Sequence, residues 1–109
     1  MGKSSQRKGA AGERELAALL AQEGYHTKRG GGMYGSSPDV IGLPGVHVEC
    51  KRVERLNVLS AYQQAARDAS STETPVLFHR RNRSPWLVTM SLTDWLSYYK
   101  THERKDDEE

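Results

Sequence analysis

Pro38-Asp39-Val40-Ile41-Gly42-Leu43-Pro44-Gly45-Val46-His47-Val48-Glu49-Cys50-Lys51 reads as two short strands folded back on one another. In the second arm Val46, Val48 and Cys50 alternate with His47, Glu49 and Lys51, and the side chains of a strand point to opposite faces with a period of two. Glu49 and Lys51 therefore share a face, and Cys50 belongs to the apolar one. Pro44-Gly45 has the chemistry of a type II turn, because proline presets one dihedral and glycine accepts positive φ. Folding back there carries Asp39 toward the level of Glu49 and Lys51. A strand face carrying solvated charges is the bland reading of the same residues. Two carboxylates and a lysine brought to one point are also the minimal equipment of a Mg²⁺ site with a cationic helper.

A third carboxylate lies upstream. Residues 8–23 are rich in alanine, leucine and glutamate and read as a helix with Gly24 as its stop. Glu13, Leu16, Ala17 and Leu20 fall on one face of it. A glutamate in an apolar stripe loses hydration unless a cation or donor compensates, so Glu13 is a candidate metal ligand. Its neighbour Arg14 is a poor partner, since adjacent helix positions do not face one another.

Tyr25-His26-Thr27-Lys28 suits a short strand, followed by the loop Arg29-Gly30-Gly31-Gly32-Met33-Tyr34-Gly35-Ser36-Ser37. Its glycines permit close backbone approach to a ligand, and Lys28, Arg29, Ser36 and Ser37 are of the kind that meets phosphate oxygens. No Gly-Lys-Ser/Thr follows at P-loop spacing, so no nucleotide cofactor is expected. A second helix is expected over residues 59–70, with Leu59, Tyr62, Ala66 and Ala69 inward and Gln63 in the same stripe as a possible accessory to the lysine. Pro75-Val76-Leu77-Phe78-His79 and Trp86-Leu87-Val88-Thr89-Met90 read as two further strands. Arg80, Arg81 and Arg83 lie in the connection between them, and Trp86 is expected in the core. Ser91 to Asp94 then looks like a helix start running through Trp95, Leu96, Tyr98 and Tyr99.

The 109 residues support one domain, taken as 1–99, with 1–7 flexible and 100–109 a charged, disordered tail. One cysteine excludes an internal disulfide and any cysteine-based zinc site. No stretch is long and apolar enough for a bilayer or a secretory signal, so a soluble, cytoplasmic protein is expected. Up to residue 99 there are thirteen Lys and Arg against nine Asp and Glu, and in the last ten residues three against five. The folded part is thus more basic than the net charge of +2 implies, which suits a phosphate backbone.

The order helix, three strands, helix, two strands, helix, with Glu13, Pro38-Asp39 and Glu49-Cys50-Lys51, resembles the PD-(D/E)XK nuclease superfamily. Arg7-Lys8-Gly9 leading into Gly12-Glu13-Arg14-Glu15-Leu16, the Gly24-Tyr25 helix exit and Gly35-Ser36 before Pro38 are most similar to archaeal-type Holliday-junction resolvases and their small phage relatives. The resemblance implies an α/β, restriction-endonuclease-like core: a central mixed β-sheet flanked by helices. It implies Mg²⁺, or Mn²⁺ in its place, held by Glu13, Asp39, Glu49 and the Cys50 backbone carbonyl, with Lys51 acting on the attacking water. It further implies branched DNA as substrate, backbone contacts from Arg7, Lys8, Lys28, Arg29, Ser36, Arg52 and Arg81, a two-fold homodimer, and action in the cytoplasm of a bacterial or archaeal host. A related nuclease acting on flap, nicked or plain duplex DNA, a non-catalytic nucleic-acid-binding module and a phage scaffold protein are the alternatives.

Overall fold

The computed structural model describes residues 2–30 and 37–107, with side chains over 9–30 and 37–105. Its elements run α1 (Gly2–Gln22), β1 (Lys28–Arg29), β2 (Val40–Ile41), β3 (Val46–Arg52), α2 (Val58–Asp68), β4 (Thr74–Arg80), β5 (Leu87–Thr89) and α3 (Leu92–Asp107). The five strands form one mixed sheet in the order β1-β2-β3-β4-β5. Among the described residues only β3 and β4 pair in parallel, and α2 makes the crossover that parallel neighbours require. The expected α/β fold and element order are both present.

Leu43 to Val46 close the predicted turn: the Val46 amide donates to the Leu43 carbonyl at 3.2 Å, and Gly45 takes a φ of 77°, the value that makes glycine the fitting residue there. Val40 then pairs with Val48. The alternation of β3 is realised on both faces of the sheet. Val48 and Cys50 join Val40, Leu16 and Ala17 in the buried core under α1, with Trp86 and Phe78 packed against it. His47 and Glu49 point the other way and are buried as well, under α2. Helix α1 reaches β3 closely because Gly12 has no side chain; a Cβ there would lie 2.5 Å from the Arg52 Cβ.

One expectation needs correction. Helix α2 turns Ala61 and Ala65 to the core, leaves Leu59 65% exposed and places Gln63 on the exposed side. Its phase is therefore offset from the apolar spacing, because two alanines allow a closer approach to β3 and β4 than a leucine would. Residues 2–7 lie in α1 and residues 100–107 lie in α3. Asp94 in the first turn of α3 and Arg104 and Lys105 in the last complement the helix dipole. Trp95 and Tyr99 stack along the same helix with ring centroids 5.1 Å apart.

Candidate active site

The β2–β3 pairing sets the centre of the site. The Asp39 amide donates to the Val48 carbonyl at 2.8 Å, and the Asp39 Oδ2 accepts from the Cys50 amide at 2.8 Å. The carboxylate thereby takes the place of a backbone acceptor in the ladder, and it lies beside Glu49. Lys51, the next residue on that face of β3, holds its Nζ 3.6 Å from the Glu49 Oε2 and is about one-third exposed. Asp39, Glu49 and Lys51 are thus brought together as their spacing predicts.

Charge and burial oppose one another here. Burial pushes the Asp39 carboxyl above its usual range, against the Cys50 amide and the Lys51 charge that favour the ionised form. Glu49 is pushed up to about 7, first by burial and then by the charge of Asp39, with Lys51 pulling the other way. Two carboxylates whose ionised forms are so disfavoured, with the Cys50 carbonyl next to Glu49 in sequence, are an oxygen donor set suited to a hard divalent cation, which stabilises both charges. The Cys50 thiol itself is pushed up to about 12 by burial and by the charges of Asp39, Glu13, Glu15 and Glu49. It is a core group, as expected.

The other expected residues divide. Glu13, expected as a metal ligand, is mostly buried on α1 and accepts from the Arg29 Nε at 2.7 Å; its partner is Arg29 and not Arg14, and among the described residues its carboxylate does not cluster with those of Asp39 and Glu49. Arg52 lies on the opposite face of β3 from Lys51, where its Nη1 donates to Asn82 at 2.9 Å and its Nε is 3.5 Å from Glu15. Arg80 is tied to Glu15 and to the Ser84 carbonyl. Arg81 is exposed beside Ser84, and Arg83 and Lys28 are exposed. The side chains of Arg7 and Lys8, and Ser36 as a whole, lie outside the described residues.

Residues 4–107 match the model of a family described as phage putative PDDEXK endonuclease. The chain belongs to this family. It is therefore a member of the PD-(D/E)XK nucleases, and DNA cleavage supported by a divalent metal is the chemistry of that group. No curated protein and no solved structure matches the chain.

Two residues near the centre escaped the reading of the sequence. Among the described residues, His47, Glu49 and Asp68 each offer a ligand atom within 4.8 Å of the others. His47 was visible in the strand alternation, two positions before Glu49. Asp68 follows Ala61 and Ala65 at helical spacing, so the stripe logic that singled out Glu13 would have found it once α2 was correctly phased. Among the described residues, no helix is long and apolar enough to cross a membrane.

Proposed function

We propose that Asp39, Glu49 and the Cys50 backbone carbonyl hold Mg²⁺, with Mn²⁺ as substitute, and that the protein cuts DNA to leave a 5′-phosphate and a 3′-hydroxyl. The observation that carries this reading is the placement of Asp39 and Glu49 side by side with the Lys51 ammonium on the same face. A bound divalent cation lowers the pKa of water and offsets charge on the phosphoryl oxygens. Lys51, anchored to Glu49 yet partly exposed, orients the attacking water and faces the charge that develops at phosphorus. Glu13 supports the centre from α1 and keeps Arg29 in place, and the remaining N–H groups of Arg29 meet the DNA backbone. Arg7, Lys8, Lys28, Ser36 and Arg81 extend that contact, whereas Arg52 serves the α1–β3 junction.

The substrate we infer is the four-way junction, cut by a two-fold dimer in the host cytoplasm, since paired nicks need two centres related by symmetry. This rests on the resolvase-like motifs of the sequence; flap, nicked and plain duplex DNA are the competing substrates for the same chemistry. The test is a Mg²⁺-dependent cleavage panel over these four DNAs, run beside Lys51→Ala and Asp39→Ala. We expect junctions to be cut in symmetric pairs, both variants to lose cleavage, and Lys51→Ala to retain metal-supported junction binding. Wild-type cutting rates in either variant would remove that residue from the mechanism, and preferential cutting of flaps or duplex would replace the substrate.

A further inference from the structure

The least explained group in the molecule is the imidazole of His47. It is 1% exposed, and neither ring nitrogen has a hydrogen-bond partner. Burying such a group unsatisfied is costly, and an apolar residue would occupy this position on β3 without that cost. The ring nevertheless sits among groups that have a use for it. Glu49 leaves β3 on the same face, Asp68 comes from the last turn of α2, and one donor atom from each of the three lies within 4.8 Å of the other two. The Glu73 Oε1 is 3.6 Å from Nδ1 and is itself fixed by the Ser70 amide at 2.9 Å. A carboxylate facing one ring nitrogen is how metal-binding histidines have their tautomer and orientation set, which leaves the other nitrogen free for the ion.

We propose that His47, Glu49 and Asp68 bind a first-row transition cation of the Zn²⁺ or Mn²⁺ class, at a site adjoining the Asp39–Glu49 centre. The inference rests on the nuclease reading only in that Glu49 is common to both sites. One imidazole nitrogen and two carboxylates favour cations that accept nitrogen donors, whereas Mg²⁺ prefers an all-oxygen shell. Mn²⁺ accepts both kinds of donor, so it is the ion able to serve at either position. Glu73 is a positioning residue in this arrangement.

Co²⁺ serves as the probe, because its visible absorption reports nitrogen and oxygen coordination without any DNA or turnover. Metal-free protein titrated with Co²⁺ should show a saturable absorption change that excess Mg²⁺ does not displace. Asp68→Asn and His47→Gln should lose it, Asp39→Asn should keep it, and Glu73→Gln should weaken the affinity about 10- to 100-fold. Asp68 is only half-buried, so its variant keeps the test decisive even if His47→Gln fails to fold. In the wild type, Mn²⁺ should broaden the ring-proton resonances of His47. Absence of Mg²⁺-resistant Co²⁺ binding, or an unchanged spectrum in Asp68→Asn, overturns the proposal while leaving Mg²⁺-dependent cutting intact. Loss of cutting on every DNA with Co²⁺ binding preserved would instead overturn the nuclease reading alone.

Discussion

Glu49 is where the demands of folding and of chemistry meet most sharply. The residue is 5% exposed, and its carboxyl is pushed up to about 7. Between the ordinary glutamate value of 4.5 and about 7, the folded chain holds a proton that the unfolded chain has released, so stability falls as pH rises through that window. With about 1.4 kcal/mol per pKa unit, the loss is on the order of 3 kcal/mol. Urea unfolding in chelator should therefore show wild-type stability declining from pH 4.5 to 7, and Glu49→Gln should flatten the decline and be the more stable protein at pH 8. A steeper decline in the variant would contradict the assigned burial penalty. Asp39, Glu49 and Lys51 were legible in the sequence because a period of two and a proline–glycine turn leave a hairpin little freedom. His47 shares that alternation, whereas Asp68 follows the Ala61–Ala65 stripe that the apolar spacing of α2 obscures.

Among the elements, α1 and α2 show two ways of placing a helix on a sheet. Leu16 and Ala17 of α1 fill the core under β3, and Gly12 lets the backbone descend onto Arg52. Gly12→Val would force these elements apart; we expect a loss of about 1–3 kcal/mol, read as a lower urea midpoint with the urea dependence of the unfolding free energy unchanged. The phase of α2 was misread because hydrophobicity favours Leu59 while packing favours the small Ala61 and Ala65. At the other end of the chain, α3 has Asp94 in its first turn and Arg104 and Lys105 in its last, the charge placement that complements a helix dipole.

Over the whole molecule, one carboxylate joins what the chain order keeps apart. Glu15 on α1 accepts from Trp86 Nε1 at 3.0 Å, from Arg80 of β4, and lies 3.5 Å from the Nε of Arg52 of β3. Burial pushes its carboxyl up, but these hydrogen bonds and charges outweigh burial and hold it below the usual range. Glu15→Ala leaves Trp86 Nε1 and Arg80 Nη1 without this acceptor and Arg52 without its ion-pair partner, and a cost of about 1–3 kcal/mol is expected. Glu15→Gln, which keeps an acceptor for Trp86, should lose less; thermal melts at neutral pH compare the two. The order of elements was legible from glycine, proline and capping residues. This long-range junction, spanning 71 residues from Glu15 to Trp86, was not.

The Asp39 carboxylate that receives the Cys50 amide makes one proton a witness to two events. That amide is shielded from solvent only while the hairpin is zipped in its proper register, and it is polarised by the same oxygen pair that would face an incoming ion. Its deuterium exchange thus gauges strand pairing and, at the proposed metal site, cation occupancy as well; a one-residue slip of β3 would erase both at a stroke by turning Glu49 and Lys51 through the sheet.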